Sequence, residues 1–77
     1  MSKYPVVSGR EVIRALSKAG FVFTSQKGSH VKLKRKTPSE VRIVIVPLKA
    51  DIKTGTLKSI LRQAHISLEE FKRLLES

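Results

Sequence analysis

The stretch "QKGSHVKLKRK", residues 26 to 36, sets one histidine in line with a row of lysines, the residue types from which metal-free phosphate chemistry is built. A strand sends successive side chains to opposite faces with a period of two. With Val31, Leu33 and Arg35 on one face, His30, Lys32, Lys34 and Lys36 share the other. An unperturbed imidazole titrates near ~6.5, so histidine exchanges protons at neutral pH. Beside ammonium groups it can act as a general base at a phosphate. RNA brings its own nucleophile, the 2′-hydroxyl. One base, with cations to hold the charge that develops on phosphorus, is then enough to cleave it. The competing reading is a solvated strand edge whose histidine is incidental, and these residues alone leave both open.

Other chemistries find less support. The two histidines, His30 and His65, are far apart in the chain with no acidic residue at ligand spacing from either, so no metal site is expected. Ser29 adjoins His30, but neighbours on a strand point to opposite faces, which works against a serine–histidine pair. No G-x-S-x-G elbow or G-x-x-x-x-G-K phosphate loop occurs, and the few carboxylates sit mostly at cap or surface positions. No cofactor is expected. Phe21 and Phe23 share a strand face, as base-stacking residues would. With three Phe, one Tyr, no Trp and no RNP1 pattern, both are expected in the core instead.

The elements that must position these groups are legible in order. "VSGREVIRALSKAGF" reads as a helix, with Ser8 and Glu11 as a capping box and Val7 with Val12 as a staple. Gly20 is suited to the left-handed position that ends it. "FVFTSQ" follows as a strand, Lys27-Gly28 as a turn, and the lysine row as a second strand. "TPSE" marks another turn. "VRIVIV", nearly all apolar, is expected to be central or buried on both sides, ending at Pro47. Leu57, Ile60, Leu61 and Ala64 mark a second helix capped by Thr54 or Thr56, and His65 falls where that helix should end. Ser67 caps a third, whose stripe is Leu68, Phe71, Leu74 and Leu75. The expected class is α+β, with a three-stranded antiparallel sheet, helices on one face and the lysine row on the other.

At 77 residues the chain, 1–77, is expected to form a single domain with one core, for which 40% hydrophobic residues suffice. Without cysteine it has no disulfide or thiolate chemistry. No apolar run approaches the ~20 residues of a membrane helix, and "MSKYPVVSGR" lacks the pattern of a secretory signal. A soluble, cytoplasmic protein is expected. Sixteen Lys and Arg against six Asp and Glu give a formal +10, which favours a polyanionic partner, most often nucleic acid. Between Lys27 and Arg62 the acidic residues are Glu40 and Asp51 alone.

The chain resembles the HicA family, the mRNA interferase toxins of HicA–HicB toxin–antitoxin pairs. The resemblance lies in "SGREVIRALSKAGF", in "QKGSH" at 26 to 30, in the "VP" ending the third strand, and in "GTLKSILRQA" at 55 to 64 followed by "ISLEEF". It implies a double-stranded-RNA-binding-domain-like fold, metal-independent cleavage of mRNA, an essential histidine in G-S-H, and a HicB antitoxin covering the active face. The catalytic role then falls to His30, Gly28 sets the turn and Ser29 the local geometry. Val31-Lys32 follow G-S-H, Leu48-Lys49 follow V-P, and His65 stands where glycine is usual after R-Q-A. The candidate phosphate contacts are Lys27, Lys32, Lys34, Lys49, Lys53 and Lys58. A non-catalytic double-stranded-RNA-binding module using the same face is the alternative. An interaction protein whose basic face serves an acidic partner is the third reading.

Overall fold

Ser8 and Glu11 start the first helix as the sequence leads one to expect. Ser8 Oγ accepts from the Glu11 N–H at 3.1 Å, and the Glu11 carboxylate accepts from the Ser8 N–H at 2.8 Å. Two donors that a helix start leaves unpaired are thus satisfied reciprocally. Helix α1 runs Gly9–Lys18. Beyond it Gly20 takes φ +101°, and the N–H groups of Gly20 and Phe21 donate to the carbonyls of Ser17 and Leu16. This Schellman closure turns Phe21 into the core. The computed structural model describes residues 4–77; Met1, Ser2 and Lys3, part of the stretch read for a secretory signal, lie outside the described residues.

Three strands follow, β1 (Val22–Lys27), β2 (His30–Lys36) and β3 (Val41–Pro47), as an antiparallel sheet of order β1-β2-β3. The apolar β3 is therefore an edge strand, and the lysine-bearing β2 is the central one. The composition of β3 misleads because Val41, Ile43 and Ile45 face solvent while Val44 and Val46 are buried. Two short connections keep strand order equal to chain order, whatever each strand's apolar content.

Helices α2 (Thr54–Ala64) and α3 (Leu68–Glu76) complete the order α-β-β-β-α-α. The inward residues Val31, Leu33, Val44 and Val46 join one core with Val12, Leu16, Leu57, Ile60, Leu61 and Phe71. The helices thus cover one face of the sheet. This is the α+β, double-stranded-RNA-binding-domain-like arrangement that was expected. Neither Thr54 nor Thr56 caps α2. The Ile52 N–H donates to the Val7 carbonyl at 2.7 Å, which keeps the chain extended to Lys53 and puts that residue at the N-cap without a side-chain bond. In α3, Phe71 is buried but Leu68, Leu74 and Leu75 are half-buried, because α3 packs at the periphery against α1. Lys18 Nζ donates to the carbonyls of Leu74 and Ser77 across that contact. Among the described residues no helix is long and apolar enough to cross a membrane.

Candidate functional site

The hairpin between β1 and β2 is closed by Gly28 and Ser29, with Lys27 and His30 as the last cross-strand pair. Gly28 has φ +59° at the first central position, where a two-residue loop of the II′ kind needs glycine. A Cβ there would meet nothing within 4 Å, so conformation, not space, selects the residue. The Ser29 carbonyl accepts from the Leu48 N–H at 2.7 Å, and the Lys49 carbonyl accepts from the Gly9 N–H at 2.9 Å. Hairpin, post-β3 loop and start of α1 are thereby drawn to one end of the sheet.

At that end His30 is exposed, on the face away from the helices. The alternation of β2 is as expected: Val31 and Leu33 are buried, Arg35 is half-buried, and His30, Lys32, Lys34 and Lys36 are exposed. Lys27 flanks His30 on one side and Pro47 on the other. Lys32 lies between Ser25 and Ile45, and Lys34 between Val22 and Ile43. Among the described residues the side-chain contacts to carboxylates at ion-pair distance are Arg42–Glu40 at 3.8 Å and His65–Glu40 at 3.7 Å, the latter charged only when the imidazole is protonated, so no carboxylate neutralises the row. At a strand rise of ~3.4 Å per residue, Lys32 is about 7 Å along the strand from His30 and Lys36 about 20 Å. Lys27 and Lys32 therefore adjoin the imidazole, and Lys34 and Lys36 extend the track away from it.

The remaining candidates divide. Lys49 lies exposed in the loop tied to the hairpin. Lys53 stands at the N-cap of α2, in the helix layer. The Lys58 ammonium sits 5.4 Å from the centre of the Tyr4 ring and lines a different cleft, with Leu61, Arg62 and His65. The structure does not bring Lys58 into the row. Guanidiniums near the sheet serve the fold: Arg35 donates to the Ala19 carbonyl at 3.2 Å with its guanidinium carbon 4.9 Å from the Phe21 ring centre, and Arg42 donates to the Arg62 carbonyl at 3.3 Å. His65 ends α2 at φ 62°, the terminating role expected of it.

One expectation fails in an informative way. Phe21 is in the core, but Phe23 is 61% exposed. The register of β1 on β2 shifts between Phe23, opposite Leu33, and Ser25, opposite Lys32, leaving Thr24 as a bulge. Phe23 and Gln26, three apart, would face opposite ways on a regular strand. Through the bulge both pair with inward-facing residues, Leu33 and Val31. They line a cleft of about 330 Å³ beside α1, with Arg10, Ile13, Arg14 and Leu48. Arg10 and Arg14, four apart on one helix face, were the readable part of this signal; the bulge was not.

Residues 9–66 match the family described as HicA toxin of bacterial toxin–antitoxin. No curated protein matches the chain. The matched span begins with α1, includes all three strands and the Gly28-Ser29-His30 turn, and ends just past α2. The chain belongs to the HicA toxin family of bacterial toxin–antitoxin systems.

Proposed function

We propose that this toxin is a metal-independent endoribonuclease that cleaves mRNA in the cytoplasm, with His30 as general base. The observation that carries the reading is His30 itself, solvent-exposed beside Lys27 and in line with Lys32 and Lys34, with no carboxylate paired to the row among the described residues. His30 takes the proton of a 2′-hydroxyl. The 2′-oxygen bonds to the adjacent phosphorus, the bond from phosphorus to the 5′-oxygen breaks, and that oxygen takes a proton from solvent. The products are a 2′,3′-cyclic phosphate and a 5′-hydroxyl end. Lys27 and Lys32 hold the charge on phosphorus, Lys34 and Lys49 hold flanking phosphates, and Gly28 and Ser29 fix the turn that aims the imidazole. Lys53 and Lys58 contact only RNA that wraps onto α2.

A toxin of such a pair has an antitoxin partner, and here a HicB-type protein is proposed to cover the open face. Val41, Ile43 and Ile45 are exposed there beside the lysines, a surface suited to an apolar strip edged with acidic groups. The test of the enzymatic reading is cleavage of an mRNA by the wild type and by His30→Ala, with a substrate carrying a 2′-deoxy sugar at the cut position as control. Cleavage should vanish in both cases while RNA affinity persists. Cutting by His30→Ala at the wild-type rate removes the assignment, and binding without cleavage by the wild type leaves the non-catalytic module.

A further inference from the structure

The cleft between α1 and the β1 edge is used by neither the fold nor the proposed reaction. Its wall is an aromatic ring, 61% exposed, where a small domain would normally bury it. Its rim carries two guanidiniums, Arg10 and Arg14, both exposed and neither paired to a carboxylate among the described residues. Gln26 completes the lining; its side-chain N–H donates to the Gly28 carbonyl at 3.0 Å, which orients the amide and leaves its oxygen as an acceptor. The cleft lies round the β1 edge from His30: Gln26–Val31 is the cross-strand pair next to Lys27–His30 but presents the opposite face of the sheet, and Leu48, which also lines the cleft, is bonded to Ser29 of the turn.

We infer that this cleft is a base-binding subsite for single-stranded RNA, holding one unstacked base of a strand that passes round the β1 edge from the bond that is cut. The inference rests on the ribonuclease reading. The base lies on Phe23, the Gln26 amide oxygen accepts from an amino or imino group on its edge, and Arg10 and Arg14 take the phosphate of the same nucleotide. Each part answers a requirement of single-strand recognition: a π-face, a hydrogen-bonding edge reader and cations for the backbone. The volume, about 330 Å³, admits a base with its hydration but not a duplex. Double-stranded RNA presents stacked bases that cannot enter, so the subsite restricts cleavage to unpaired stretches and biases the cut by the base it accepts. The guanidiniums argue for RNA over a protein side chain, since an apolar anchor would leave both without a counter-charge.

The experiment uses the full chain carrying His30→Gln, so that RNA stays intact, and measures its affinity for a short single-stranded RNA and for a perfectly paired RNA hairpin. Phe23→Ala in that background should weaken single-strand binding by roughly 5- to 150-fold, the range of one base–aromatic stack. Phe23→Tyr should restore it, and hairpin affinity should not change. In the catalytically intact chain, Gln26→Ala should redistribute cleavage sites along an mRNA without changing the chemistry of the ends. Circular dichroism checks that the fold survives, as expected for an exposed side chain. Phe23→Ala binding single strands like its parent overturns the subsite while leaving the ribonuclease reading intact. Phe23→Ala that loses only the antitoxin, in co-purification, overturns it in favour of a protein anchor. If the parent binds neither RNA, both readings fall together.

Discussion

His30 and Pro47 are direct cross-strand partners, and the carbonyl of Pro47 is the atom against which Gly9 packs. The Leu48 N–H donates to Ser29, so by antiparallel alternation the next pair, His30 with Pro47, exchanges no backbone bonds. A residue without an N–H therefore sits beside the imidazole at no cost to the ladder. A Cβ on Gly9 would collide with the Pro47 carbonyl oxygen, which is backbone and cannot swing away. Gly9→Ala should thus push α1 off the end of β3. Overpacking of this kind costs about 1–3 kcal/mol. In a domain of this size each kcal/mol lowers Tm by about 4–8 °C. Thermal unfolding checks the loss, and cleavage assayed well below Tm should fall as well, because the displaced strand carries the partner of His30.

The lysine row should act through charge and not through the fold. Lys32, Lys34 and Lys36 are exposed, and none has a carboxylate partner among the described residues. Replacing all three by glutamine should leave Tm within about 0.5 kcal/mol-equivalent of wild type, as for most surface changes. Single-strand RNA affinity should fall for every sequence alike. Each lost phosphate contact flattens the plot of log affinity against log salt by about 0.7. A titration at several salt concentrations would therefore show a slope smaller by about 2 if all three touch phosphates. An unchanged slope removes the track and leaves His30 with Lys27 and Lys49 only.

These two outcomes depend on features of different legibility. The ends of α1 were readable because its caps are local: Ser8 with Glu11, and Gly20 with Phe21, form their bonds within a few residues, whereas the start of α2 at Lys53 is set by the distant Ile52–Val7 bond. The face shared by His30, Lys32, Lys34 and Lys36 was readable because strand alternation follows from backbone geometry alone. The position of β3 was not, because an apolar run does not tell a strand buried on both sides from an edge strand with an apolar outer face. Phe23 was misplaced for another reason. Its burial depends on the reach of α1 over the sheet edge, and its direction relative to Gln26 depends on one unpaired residue, Thr24. Lys58 is a candidate phosphate contact by its charge, but the place of its ammonium, over the Tyr4 ring in another cleft, depends on a contact between residues far apart in the chain that no local pattern reveals.

The outer face of β3 gives a prediction about the partner. Ile43 and Ile45 are exposed to 48% and 39%, and they alternate with core residues that hold the strand in register. Changing both to glutamate leaves that core untouched, so folding should survive. Against an antitoxin that covers this face, two buried, unpaired carboxylates are strongly unfavourable. Co-expression with the antitoxin, followed by purification through a tag on the toxin, should recover the wild-type complex and little or no complex for the double variant. Full recovery would place the antitoxin elsewhere on the surface.

His65 yields the last prediction, which concerns stability alone. The N–H groups of His65 and Ile66 donate to the carbonyls of Arg62 and Leu61, the closure that Gly20 and Phe21 provide for α1. Gly20 enters the left-handed region freely, but His65 does so at φ 62° with a Cβ. That conformation costs an ordinary residue roughly 1–2 kcal/mol. Its compensation is the Glu40 carboxylate 3.7 Å from Nδ1, an exposed contact of little worth, since surface pairs typically contribute about 0–1 kcal/mol. His65→Gly removes the strain and loses the pair, and it also gives the unfolded chain more freedom, which opposes the gain. The net expectation is stabilisation by roughly 0.5–1 kcal/mol, read as a Tm rise of a few degrees. Cleavage should be unchanged, because His65 lies at the end of α2, away from the open face. A lower Tm would mean that the pair with Glu40 outweighs the backbone strain.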